Sequence, residues 1–276
     1  MLRPSLVVTL LAALALAAAG MAVAAATRAR SMHATTAPSP PAARPVVAAV
    51  SSRAAHAGLA QRVRVVTRPA ASARRSGAEV LRVRAGRSLT LRSRPRGSVV
   101  ATVRDRTEFG TPTELAVAER RGRWLGVTSS ALSNGRLGWV DGRSHSVTRG
   151  HVGVELVVRL SRRRVELHRG RRTLRRISVA VGGPGTSTPT GRFSVTDKLS
   201  GTSFGPYYGC CVLALSGHQP HPPAGWQGGD RLAIHGTDAP GTIGTASSAG
   251  CLRAADADLR YLMQRVPLGT PVLVLR

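Results

Sequence analysis

The sequence predicts a mainly β chain: a small barrel, then a β-sandwich or barrel-like sheet with one packed helix. Three observations predict it. Short apolar–polar alternations recur from residue 79 onward, with the period of half-buried strands. Only one stretch, near residue 260, keeps the i, i+3, i+4, i+7 spacing of a helix. Aromatics are only 3% of 276 residues against 42% hydrophobic residues overall, so the cores must be built from Val, Leu, Ala and Ile. That hydrophobic content is ordinary for a folding chain and excludes disorder throughout. Three cysteines are too few for a disulfide-rich scaffold.

Charge narrows the setting. Lys plus Arg is 40 and Asp plus Glu is 13, a net +27, of which +18 falls in residues 1–151 and +9 in 152–276. Such a balance implies polyanionic surroundings: nucleic acid, anionic lipid or acidic wall polymer. The N-terminus selects among them. After Arg3 an uncharged stretch with an apolar heart, Leu6–Leu16, ends in Ala22-Val23-Ala24-Ala25-Ala26. This is the pattern of a secretory signal peptide, with an uncleaved N-terminal anchor as the alternative for residues 1–26. Either places the rest outside the cytoplasm, secreted or in the cell envelope, and sets nucleic acid aside. A membrane contact enters only if the segment is uncleaved.

Residues 27–78 are rich in Ala, Pro, Arg and Ser without a sustained period, and read as a flexible basic linker. Strands are expected at Val80–Arg84, Leu89–Arg92, Val99–Val103, Trp124–Val127 and Leu137–Val140. Asn134-Gly135 supplies a hairpin-turn signal between the last two. Leu89-Thr90-Leu91-Arg92-Ser93-Arg94-Pro95, then Trp124, then Gly138-Trp139-Val140 resembles bacterial SH3-like domains. The resemblance implies a small barrel over 79–148, either a wall-binding module or a spacer without ligand.

From residue 152 to 276 the strand pattern resumes: Val154–Leu160, Val165–His168, Ile177–Val181, Arg192–Thr196, Cys211–Leu215, Leu232–His235 and Val272–Leu275. The helix carries Leu259, Leu262, Met263 and Val266 on one face. Asp256 is its expected N-cap, and Pro267 and Gly269 stop it.

Few residues could do covalent chemistry. His235-Gly236 ends an apolar strand. Cys251 follows 16 residues later in the small-residue loop Ser247-Ser248-Ala249-Gly250-Cys251-Leu252-Arg253. A thiol needs a base or an electropositive setting to react near neutral pH. A strand-end histidine can supply the base, and successive backbone N–H groups can hold an oxyanion. Strand-terminal His-Gly followed by Ser-x-Gly-Cys-x-Arg resembles the L,D-transpeptidase catalytic domain of the YkuD type. Val181-Gly182-Gly183 and Thr188-Pro189-Thr190-Gly191-Arg192-Phe193 resemble that family's upstream blocks.

The resemblance implies a cysteine-nucleophile acyltransferase acting on peptidoglycan stem peptides. Its product would be 3→3 crosslinks, with a role in wall organisation and cell shape. Cys251 would be the nucleophile and His235 the general base, oriented by the Gly236 carbonyl. Ala249, Gly250 and Cys251 N–H groups would form the oxyanion hole, and acylation by carbapenems would follow. Ser248, Arg253 and Tyr208 would meet substrate, Arg253 equally by bracing the loop. No cofactor and no metal are called for, and a monomer is expected. One departure stands out: Ala249 occupies a position where many family members have His.

Other residues carry alternatives. Cys210 and Cys211 read as inert core or edge thiols, against an adjacent-residue disulfide or a redox lock on Cys251. His218 and His221 read as part of a Pro-rich substrate lid or a plain loop. Tyr207, Tyr208 and Trp226 line a cleft or fill a core. Gly182–Gly185 lacks the Lys and Ser/Thr of a phosphate loop. The reading competes with a non-catalytic wall-binding protein and with an L,D-carboxypeptidase that uses the same cysteine.

Overall fold

The computed structural model describes residues 77–276. The predicted export segment, and the linker up to residue 76, lie outside the described residues.

The first seven strands form one antiparallel sheet. They are β1 (Ala78–Val83), β2 (Ser88–Arg92), β3 (Val99–Arg104), β4 (Glu114–Arg121), β5 (Trp124–Val127), β6 (Gly138–Asp141) and β7 (Val147–Val152), in the order β3-β2-β6-β5-β4-β1-β7. Alternation does the folding: in β2, Leu89 and Leu91 are buried between exposed neighbours. Leu81, Leu91, Leu125, Val127 and Val140 make its core. Two strands were not foreseen, β4 and β7. β7 pairs with β1 along its whole length, from Ala78 opposite Val152 to Val83 opposite Val147. The Asn134-Gly135 signal also lands differently. β5 and β6 do pair as antiparallel neighbours, but residues 128–137 connect them, and Asn134 is turned toward the second sheet.

The second half holds β8 (Glu155–Arg159), β9 (Arg164–Arg169), β10 (Arg172–Ser178), β11 (Val181–Gly182), β12 (Gly191–Ser200), β13 (Cys211–His218), β14 (Arg231–His235), β15 (Ala246–Ser248), β16 (Leu252–Arg253), α1 (Asp256–Arg265) and β17 (Pro271–Leu275). Eight of these strands form a mixed sheet in the order β10-β9-β8-β17-β12-β13-β14-β16, and β11 pairs with β15 beside it. The chain is therefore mainly β with one α-helix among the described residues, as the alternation predicted.

α1 buries Leu259 and Leu262 completely against the sheet, and Val266 closes its end. Its N-terminus differs from expectation. Ala255 is the N-cap, with no side-chain cap, and Asp256 is the first helical residue. The Asp256 carboxylate instead accepts the Cys210 N–H at 3.1 Å, so it ties the helix to the start of β13. A carboxylate in the first turn also suits the helix dipole.

Candidate active site

β14 delivers His235 to its end, fully buried. Its Nδ1 donates to the Gly236 carbonyl at 2.6 Å, which fixes the tautomer and leaves Nε2 as the acceptor. Nε2 is buried and has no hydrogen-bond partner among the described residues. Burial lowers the imidazole pKa to about 4, outweighing the Gly236 bond that raises it. The ring is therefore neutral near pH 7. Gly236 has no room for a side chain, because a Cβ would strike Asp256 Oδ1 and the Gly209–Cys210 backbone.

β16 runs parallel to β14, with Ile234 opposite Leu252 and His235 opposite Arg253. Extending that register by one residue sets Cys251 opposite Ala233, on the face that carries His235. The Cys251 thiol donates to the Arg231 carbonyl at 3.7 Å rather than to the imidazole. Burial pushes its pKa up to about 11. Burial thus favours the uncharged form of both groups.

The loop before Cys251 is fastened carbonyl by carbonyl. Gly183 N–H and Thr186 Oγ1 donate to Ser248 O. Gln219 Nε2 donates to Ala249 O at 2.9 Å, Thr188 Oγ1 to Gly250 O at 2.7 Å, and Ser248 Oγ to Cys251 O at 2.6 Å. Gly250 sits at φ +121°, and a Cβ there would collide with the Gln219 amide. The Gly250 N–H donates to Ser248 Oγ at 3.0 Å, so it is engaged within the loop. The Ala249 and Cys251 N–H groups have no acceptor among the described residues.

Two residues expected to meet substrate, Arg253 equally as a brace, hold the loop in this structure. Ser248 is buried, and its hydroxyl is used by Gly250 and Cys251. Arg253 is also buried; its Nη2 bonds Ser247 O and Oγ, and its guanidinium lies 5.8 Å from the Tyr207 ring centre. Bracing is the role its contacts describe.

The two 3₁₀ turns Gly201–Phe204 and Pro206–Tyr208 bring aromatics to the histidine. Tyr208 lies 4.8 Å and Tyr207 5.4 Å from His235 between ring centres, and Trp226 packs on Tyr207. Burial raises both tyrosine pKa values. Tyr207, Tyr208, Trp226, Gln219, Ala249 and Cys251 line a narrow cleft holding about 20 Å³ of cavity. Of the alternatives for these aromatics, the cleft is the one observed.

Cys210 and Cys211 are joined to each other in an adjacent-residue disulfide, which corrects the expectation of two free thiols. They sit where the chain enters β13, and the Cys211 carbonyl accepts the Gly236 N–H at 3.0 Å, beside the histidine. Cys251 is the free cysteine. His218 bonds Ser130 O through Nε2, and among the described residues no three His, Cys, Asp or Glu side chains gather as a metal site.

Sequence reasoning missed Thr186 and Gln219 as loop fasteners and read Thr188 only within a turn block. Thr188 was visible in its Thr-Pro-Thr-Gly block. Gln219 gave no local signal, since its partners lie about 30 residues away on either side.

A buried imidazole with an unpartnered Nε2, a thiol on the same face and a loop presenting N–H groups are the parts that cysteine–histidine acyl-transfer chemistry uses. Residues 153–274 match the YkuD family, described as the L,D-transpeptidase catalytic domain. Two Bacillus subtilis proteins, provisionally named L,D-transpeptidases, are similar. YqjB is 36% identical over 106 residues, 35% of this chain and 57% of its own length. YkuD is 32% identical over 123 residues, 44% of this chain and 65% of its own. The chain thus spans less than two thirds of the length of either relative. An L,D-transpeptidase structure from Mycobacterium smegmatis is 18% identical, covers 51% of this chain and 73% of its own, and has a TM-score of 0.35. The family match and the Bacillus relatives support a YkuD-type L,D-transpeptidase catalytic domain over these residues.

Proposed function

We propose that the protein is an exported L,D-transpeptidase that forms 3→3 peptidoglycan crosslinks through a Cys251 thioester. The observation that carries the reading is the unpartnered, buried Nε2 of His235 on the Cys251 face, with Nδ1 committed to Gly236.

The Cys251 thiol rotates away from the Arg231 carbonyl and gives its proton to His235 Nε2 as sulfur attacks. The target is the carbonyl of the third stem residue. Charge on the carbonyl oxygen meets the Ala249 and Cys251 N–H groups, the two left unengaged. Collapse expels the terminal D-alanine, whose amine takes the proton from His235. The thioester is then attacked by the side-chain amine of a second stem; His235 accepts the amine proton and returns it to the departing thiol. Water in place of the amine gives carboxypeptidase activity at the same cysteine. Burial keeps His235 uncharged and able to accept a proton before attack.

The N-terminal segments fit this reading, with residues 1–26 directing export and 79–148 serving as an SH3-like module that meets stem peptide or anionic wall polymer.

Intact-protein mass spectrometry after incubation with a carbapenem tests the chemistry, beside Cys251→Ala and the double variant Cys210→Ser/Cys211→Ser. One adduct is expected, lost only in Cys251→Ala. Disaccharide-tetrapeptide should then yield crosslinked dimer. No adduct on a folded protein would overturn the reading in favour of a non-catalytic wall-binding protein.

A further inference from the structure

The loop that covers the cleft is closed at a neck. Gln219 N–H donates to the Asp230 carbonyl at 2.6 Å, and His218 pairs with Arg231 on β13 and β14 just outside it. Between these ends run residues 219–230, from which Gln219, Trp226 and Gly229 face Cys251 across the cleft. The loop therefore reaches the site only as deeply as its neck allows.

Both neck residues are gripped by the other sheet. Asn134 mimics a strand edge: its Nδ2 donates to His218 O at 2.6 Å and its Oδ1 accepts His218 N–H at 2.8 Å. The His218 ring bonds Ser130 O at 2.8 Å, and its Nδ1 lies 3.0 Å from Asp230 Oδ2, off hydrogen-bond alignment. The Glu108 carboxylate pairs with the Arg231 guanidinium, whose other nitrogens reach Thr196 Oγ1 and Leu215 O.

These bonds border an open groove. A cavity of about 420 Å³ is bordered by Thr107, Glu108, Ser130, His218, Asp230 and Arg231. Close packing therefore does not fix the neck from this side; directional polar contacts must. The same Arg231 supplies the carbonyl that holds the resting Cys251 thiol.

We propose that Asn134 and Glu108 are positioning residues: the N-terminal sheet sets the depth of the 219–230 loop over Cys251, and hence how substrate fits. The proposal rests on the reading of Cys251 as nucleophile for its consequence in catalysis, but not for its structural claim.

The test uses the full chain with Asn134→Ala and, separately, Glu108→Gln. Hydrogen exchange over 219–230 should accelerate about tenfold in Asn134→Ala and less in Glu108→Gln, while β8, β9 and β17 keep wild-type exchange. With disaccharide-tetrapeptide, KM should rise about five- to tenfold with kcat changed less than twofold, the signature of lost binding rather than lost chemistry. Wild-type exchange across 219–230 in both variants would overturn the proposal. So would acceleration spread evenly over both sheets, which marks general destabilisation. If the wild-type protein neither forms a carbapenem adduct nor turns over substrate, the proposed function fails, and the exchange pattern still decides the clamp.

Discussion

The two sheets place their polar residues in opposite ways. On the N-terminal sheet ion pairs such as Arg121 with Glu119 and Arg123 with Asp141 are solvated, and the buried polar residues are few, Thr113, Thr128 and Ser129. The C-terminal sheet buries polar groups: Thr188, Ser194, Asp197, Gln219, His235, Ser248 and Arg253 are all withdrawn from water. Burying such groups costs free energy unless they are bonded, and most here are bonded to the loop around Cys251. Even the N-terminal sheet's buried Thr128 faces the other half, bonding Ser194 Oγ at 2.8 Å. Buried polarity is therefore the better guide to the site in this molecule, and exposed charge a poor one.

The sharpest way to break that comparison is at His235. His235→Ala should slow carbapenem acylation by about 10²- to 10⁴-fold, the usual worth of a positioned base, measured as the second-order rate by mass spectrometry. Retention of the wild-type rate would sever the buried polarity from the chemistry.

Acid comes next. The unfolded chain protonates His235 from about pH 6.5, its ordinary value, whereas the folded chain does so only near 4. Stability is full above the ordinary value and falls as pH drops through that window, by about 3 kcal/mol from this group. In urea titrations across the window, wild type should lose about 3 kcal/mol relative to His235→Gln as pH falls; parallel curves would show that the histidine is not buried neutral.

The smallest effect belongs to the other sheet. Glu119→Ala should change stability by less than about 0.5 kcal/mol, since its pairing with Arg121 is solvated. A larger loss in thermal denaturation would mean that the exposed charges matter to the fold after all.

These contrasts also explain what the sequence made legible. Alternation found β2, β5 and β9 because each buries every second residue or a short apolar run. It missed β4, which ends in Glu119-Arg120-Arg121, and β7, whose Arg149-Gly150-His151 interrupts the apolar pattern. The helix was found from its apolar face, but its cap was misread, because Asp256 answers to Cys210, 46 residues back. His235 and Cys251 stood out as residue types beside recognisable blocks. Their direction did not: nothing local says that the thiol turns to Arg231 O, or that Ser248 serves Gly250. Gln219 and the Cys210–Cys211 bond were illegible for the same reason, being products of chain crossings that no window of sequence contains.

The loop before the cysteine is held through its carbonyl oxygens, and Ala249 is held only by that atom among the described residues. Every amino acid has the same carbonyl. The identity of residue 249 is therefore uncoupled from the bonds that hold the loop, and the residue lines the cleft. A different side chain at 249 would leave the bonds beneath it in place, so the position can vary without loosening the loop that carries Cys251.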